Sequence, residues 1–121
     1  AHDLVAKADA LGERLQEECR SLINHPLVGD VRGAGLMAGI EIVADKGSRA
    51  SFPRARRVAE RVAASAFARG VWLLAGVGGQ ADGRGDMLVL GPPLVATPDD
   101  LRLAVDVIAA ALDEARGALA D

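Results

Sequence analysis

Between Leu4 and Ile23, apolar side chains fall at Leu4, Ala8, Leu11, Leu15, Cys19, Leu22 and Ile23, with Glu13, Arg14, Gln16, Glu17 and Arg20 between them. Steps of three and four residues put the first set on one stripe of a helix and the second in solvent. Asn24-His25-Pro26 stops that helix, because proline disfavours helical backbone in the residue before it and has no N–H to donate. The rhythm then changes: Val28 to Val43 is rich in β-branched and aliphatic residues and is broken by Gly29, Gly33, Gly35 and Gly39. This predicts two short strands around a glycine turn at Gly33 to Gly35, the stronger strand running from Leu36 to Val43. Asp45 to Ser48 is a polar loop.

Pro53 suits the first turn of a second helix, whose apolar face is Val58, Ala59, Val62, Ala63, Ala66 and Phe67, and Gly70 is its left-handed stop. Its other face, with Arg54, Arg56, Arg57, Glu60, Arg61 and Arg69, reads as solvated. Val71 to Leu74 and Met87 to Leu90 are short strands on either side of a loop holding five glycines, and Gly91-Pro92-Pro93 closes the second. Thr97, Pro98 and Asp100 form a capping-box-like start to a last helix. Its core face is Leu101, Ala104, Val105, Ile108, Ala111, Leu112 and Ala115, and Gly117 ends it. The order predicts an α+β fold, one domain over 1–121: a small, mostly antiparallel sheet of three to four strands covered by about three helices.

Composition narrows the function more than the fold. A net charge of -3, with the basic residues scattered among the acids, gives no electrostatic reason to bind nucleic acid. Two Phe, one Trp and no Tyr make the core aliphatic and leave few rings for base stacking. Cys19 alone makes no disulfide framework and suits a reducing cytoplasm. No apolar run reaches the ~20 residues of a membrane span, and the amino-terminal residues lack signal-peptide architecture.

No catalytic constellation emerges from spacing. His2 and His25 lie far apart with no partnering cysteine, so no metal site is expected. Ser21, Ser48, Ser51 and Ser65 lack a nucleophile-elbow context. Gly33-Ala34-Gly35 could open a dinucleotide fingerprint, but a strand pattern rather than a helix follows it. Lys7, on the first helix, and Lys46, in a loop, lack the desolvated or electropositive setting that a Schiff-base lysine needs.

Three stretches, taken in order, resemble class III, fold type I pyridoxal-phosphate aminotransferases. His25 to Glu41 reads HPLVGDVRGAGLMAGIE, like the segment opening that family's C-terminal small domain. Ala68-Arg69-Gly70-Val71 is like the helix end that runs into a strand, and Gly85 to Thr97, GDMLVLGPPLVAT, is like the segment before the final helix. The resemblance covers almost the whole chain. It implies the small domain of a homodimeric transaminase that moves an amino group from an amine or amino acid to a keto acid through a ping-pong cycle. Pyridoxal phosphate would be bound by a large domain upstream of Ala1, along with the cofactor lysine, leaving this chain inactive alone, with no cofactor and no catalytic residue of its own.

The departures bear on substrate. Relatives acting on α-amino carboxylates often carry an arginine three residues before the Pro-Pro pair, where Val89 stands here, and many ω-transaminases carry one where Leu74 stands. Arg84, in the glycine-rich loop, is the candidate to meet a substrate carboxylate in their place, and a solvated loop arginine is the alternative account of it. Arg32 is a second substrate-binding candidate, although bonding to backbone carbonyls or to a neighbouring acid also accounts for it. Gly91, Pro92 and Pro93 are expected to shape an active-site wall. Decarboxylases, racemases and mutases share this small domain, and a stand-alone ligand-binding or regulatory α+β module is the alternative reading. Removal of a large domain predicts exposed apolar surface on the first helix or around Trp72 and Pro92-Pro93.

Overall fold

The computed structural model describes residues 3–93 and 95–120; His2, named above, and position 94 within the Gly85 to Thr97 stretch lie outside them. The elements are α1 (Leu4–Arg20), β1 (Val28–Ala34), β2 (Met37–Ile42), α2 (Val58–Ala68), β3 (Leu74–Val77), β4 (Asp86–Leu90) and α3 (Pro98–Leu119). The four strands form one antiparallel sheet in the order β1-β2-β4-β3. In the central strands the pleat alternates strictly. Ala38, Ile40 and Ile42 pair with Leu90, Leu88 and Asp86 on the buried face, while Gly39 and Glu41 pair with Val89 and Met87 on the other. The helices cover only the buried face. Their stripes Leu11, Leu15 and Cys19, Val58, Val62 and Ala66, and Leu101, Val105, Ile108 and Leu112 join the inner strand residues in one hydrophobic cluster.

Local chemistry explains where most elements begin and end. Asp3 caps α1 by accepting the Ala6 N–H. The first turn of α1 is not core: Leu4 and Val5 are exposed, and so is Ile23 in the 3₁₀ turn Ser21–Asn24 that follows the helix. At α3 the capping box is complete, with Thr97 Oγ1 accepting the Asp100 N–H and Asp100 Oδ2 accepting the Thr97 N–H. Gly70, at φ 95, closes α2 in a Schellman arrangement: its N–H reaches the Phe67 carbonyl and the Val71 N–H reaches the Ala66 carbonyl.

Four boundaries and one burial assignment differ from the sequence reading. The first hairpin turns on Gly35-Leu36 alone, with Ala34 opposite Met37 and Gly35 at φ 57, as a two-residue turn with glycine first requires. Pro53 opens a 3₁₀ turn, Arg54–Arg56, rather than α2; Arg57 then turns left-handed at φ 50 and the α-helix starts at Val58. Phe67 is exposed, not core. β3 begins at Leu74 instead of Val71, because its register is set by pairing with Val89 across the sheet rather than by its own apolar run. Gly117 does not end α3, which runs on to Leu119 since an α conformation costs glycine only about 1 kcal/mol there.

α1 meets the first hairpin at backbone distance. A Cβ on Gly12 would lie 2.7 Å from the Gly35 carbonyl carbon and oxygen. One turn along α1, Gln16 Nε2 donates to the carbonyls of Gly35 (3.0 Å) and Met37 (2.9 Å), fixing the hairpin tip to the helix. Behind this contact Cys19 is fully buried, and burial, with the Glu18 charge as a second cause, pushes its thiol up to about 11.

Two outcomes follow. Helix propensity alone would make Gly12→Ala stabilising by about 1 kcal/mol, but the backbone clash reverses the sign, and a loss of about 1–3 kcal/mol is expected. Urea midpoints of this variant and of Glu13→Ala decide it, a raised midpoint for Gly12→Ala contradicting the close approach. For Cys19, the unfolded thiol ionises near its ordinary value of 9.0 while the folded one keeps its proton to about 11. Stability contributed by the neutral thiol is therefore complete below the lower value and lost as pH rises through the upper one. Cys19→Ala should remove that part of the alkaline slope in denaturation curves from pH 8 to 11.

Candidate functional site

The face of the sheet without helices carries two unlike regions. Toward the β1–β2 tip it is apolar: Met37, Trp72, Leu74 and Val89 line a shallow groove with Leu73 and Gly91. Trp72 is 79% exposed, Leu74 61% and Met37 59%, so a set of large side chains stands in solvent on one side of the molecule. Leu74 and Val89, the two positions where the resemblance led us to look for carboxylate-binding arginines, are direct cross-strand partners here. The register thus makes one apolar patch of two substitutions that lie far apart in sequence.

Toward the other end the same face becomes polar. Arg32 lines a groove of about 270 Å³ together with Glu41, Gln80, Met87 and two glycines of the β3–β4 loop, Gly79 and Gly85. Its guanidinium is held by Glu41 Oε2 at 2.8 Å and Asp30 Oδ2 at 3.3 Å, so its charge is already matched by two acids, one on its own strand and one on β2. Of the two partners other than substrate that the sequence leaves open for Arg32, backbone carbonyls and a neighbouring acid, the structure shows the acid. Arg84 stands differently. It is exposed in the β3–β4 loop, does not line the groove, and its nearest acid is Asp82 of the same loop, 3.8 Å away. An exposed pair of that length is worth close to nothing, which leaves Arg84 free to swing. The structure therefore brings Arg32 but not Arg84 into the groove.

Gly91, Pro92 and Pro93 line a separate groove with Trp72, Val95 and Leu101, at the junction of β4 and α3. It adjoins the apolar patch through Trp72 and Gly91. The exposed surface expected around Trp72 and Pro92-Pro93 is thus present.

The described residues do not fit a cofactor anchor. Lys7 is exposed on α1, and Lys46 donates Nζ to the carbonyls of Ile23 and His25, capping the turn after α1. His25 is equally occupied: Nδ1 accepts the Leu27 N–H, which leaves Nε2 to donate to Asp113 at 2.7 Å and clasp the end of α1 to α3. Asp45 and Glu114 lie below the usual carboxylate range, chiefly through the hydroxyls of Ser48 and Ser65, but both are exposed surface groups. Among the described residues no three histidines, cysteines or acids gather to hold a metal, and no helix is long and apolar enough to cross a membrane.

Sequence reasoning missed Asp86, the one buried acid among the described residues, and with it Arg54, which was placed on the solvated face of α2 and is in fact half-buried against Asp86. The available signal was an acid at the first inward position of an otherwise aliphatic strand.

The architecture is an α+β sandwich of the kind found in transaminases, with one sheet face bare. No family model matches the chain. It is 37% identical over 114 residues to a taurine–pyruvate aminotransferase of Bilophila wadsworthia, covering 93% of this chain and 24% of that protein. It is 38% identical over 111 residues to an adenosylmethionine-8-amino-7-oxononanoate aminotransferase of Aquifex aeolicus, covering 92% of this chain and 22% of that one. The PMP-bound form of an aminotransferase from Vibrio fluvialis superposes with a TM-score of 0.81 at 27% identity, over 94% of this chain and 24% of that chain. Over nearly its whole length the chain is thus similar to aminotransferases. It spans about a quarter of the length of the relatives it matches.

Proposed function

We propose that this chain is the C-terminal small domain of a pyridoxal-phosphate-dependent aminotransferase, whose remaining polypeptide binds the cofactor and supplies its lysine. The observation that carries the reading is the pairing of two facts: similarity to aminotransferases over about a quarter of their length, and a sheet whose bare face exposes Trp72, Leu74 and Met37. Apolar side chains of that size, contiguous on one face, are the expected signature of a surface that packs on another part of the same polypeptide. The occupied lysine Lys46 and the solvent-exposed Lys7 support placing the cofactor elsewhere. The polypeptide acts on an amine or amino acid and a keto acid. It works as a homodimer in the cytoplasm, a reading supported by the family resemblance and, for the compartment, by a lone buried thiol.

Within that enzyme the bare face looks toward substrate. Arg32, neutralised by Asp30 and Glu41, organises the face, whereas Arg84 is the cation left free to meet a substrate carboxylate. Gly91, Pro92 and Pro93 form a rigid wall at the Trp72 end of that side.

Treating this chain and the full-length gene product alike with pyridoxal phosphate and borohydride tests the first part. Only the full-length protein should retain a reduced chromophore, and a chromophore trapped on this chain at Lys7 or Lys46 would overturn the assignment. In the full-length enzyme, Arg84→Ala should raise KM for carboxylate-bearing substrates roughly tenfold with kcat little changed. An unchanged KM for every donor and acceptor removes Arg84 from the substrate site.

A further inference from the structure

Asp86 joins three things that are distant in sequence. Its side chain is 1% exposed and lies on the inner face of the sheet, opposite Ile42 on one side and Val77 on the other. Oδ1 accepts the backbone N–H of Ala59 at 2.9 Å and a guanidinium N–H of Arg54 at 3.2 Å. Arg54 in turn grips Glu60 with its other terminal nitrogen. α2 has no side-chain cap of its own, because the residue in the cap position is the left-handed Arg57. The strand carboxylate does that work, placing a negative charge at the positive end of the helix and satisfying an N–H that would otherwise have no partner.

The residue before Asp86 ends the β3–β4 loop. Gly85 sits at φ 126, a conformation that side chains resist, and a Cβ there would lie 3.2 Å from the Gly79 nitrogen. The loop is stitched across its base by Gly78 N–H to the Gly85 carbonyl and Gln80 N–H to the Arg84 carbonyl. Its geometry is therefore referred to Asp86 through one glycine in a conformation that only glycine takes without strain.

We propose that Asp86 is a positioning residue: by locking the start of β4 to the first turn of α2 and to Arg54, it sets the conformation of the Gly78–Gly85 loop that walls the groove above Arg32. Its bearing on catalysis rests on the reading that this loop faces substrate in the assembled aminotransferase. A carboxylate whose only task was to cap α2 would affect the helix and leave the loop alone.

The experiment uses the full-length enzyme and the variant Asp86→Asn, which keeps an acceptor for Ala59 but loses the charge that holds Arg54. Hydrogen exchange should quicken by roughly tenfold or more at the amides of Gly78, Gln80 and Gly83 as well as in the first turn of α2. KM should rise by a similar factor, with kcat within about twofold, as expected of a misplaced binding group. Faster exchange confined to α2, with the loop amides unchanged, overturns the proposal. Faster loop exchange with KM unchanged upholds Asp86's hold on the loop and instead overturns the loop's place at the substrate. If Asp86→Asn does not fold, Arg54→Ala leaves the Ala59 cap intact and is read by the same two outcomes.

Discussion

The one-sidedness of β2 and β4 is the constraint on which the other features rest. Aliphatic side chains occupy alternate positions facing the helices, and between them stand Gly39, Glu41, Met87 and Val89. A sheet patterned in this way accepts one helical layer, and α1, α2 and α3 all have to find room on it. Crowding on that side explains why α1 carries Gly12 where it meets Gly35, and why a glutamine at position 16 rather than an apolar residue faces the hairpin carbonyls. The other side then needs no helix, and its mixture of exposed large apolar residues and paired charges is what a surface intended for a neighbour looks like.

The architecture was largely legible because most of its signals are local. The stripe from Leu11 to Cys19, the Thr97–Asp100 capping box and the Gly70 stop each depend on residues within a turn of one another, and each is found as expected. The misplacements have the opposite character. β3 was put at Val71 to Leu74 because those residues are apolar, yet an edge strand takes its position from its partner, and β4 pairs with Leu74 to Val77. The start of α2 was put at Pro53 because proline suits a first turn, but the left-handed Arg57 divides the segment into a 3₁₀ turn and a helix.

For the site, the residue types were legible and their partnerships were not. For Arg32 the sequence leaves backbone carbonyls, a neighbouring acid and substrate open as partners, and the structure shows Asp30 and Glu41, a strand neighbour two residues away and one across the hairpin, sharing its face. Arg54 and Asp86 lie 32 residues apart, and no spacing rule links a 3₁₀ turn to the first residue of a later strand. Leu74 and Val89 show the same limit in the other direction: each was noticed separately, and only the register reveals that they form one patch.

The borrowed cap on α2 also says something about the order in which the chain assembles. A helix of 11 residues is too short to hold itself in water, and this one lacks the side-chain cap that would help it nucleate. Its first turn is completed by a carboxylate 27 residues further along, which is in place only once β4 has joined the sheet. α2 is therefore a segment whose helical state is conferred by the strands rather than brought to them, in contrast to α3, which carries both halves of its own cap.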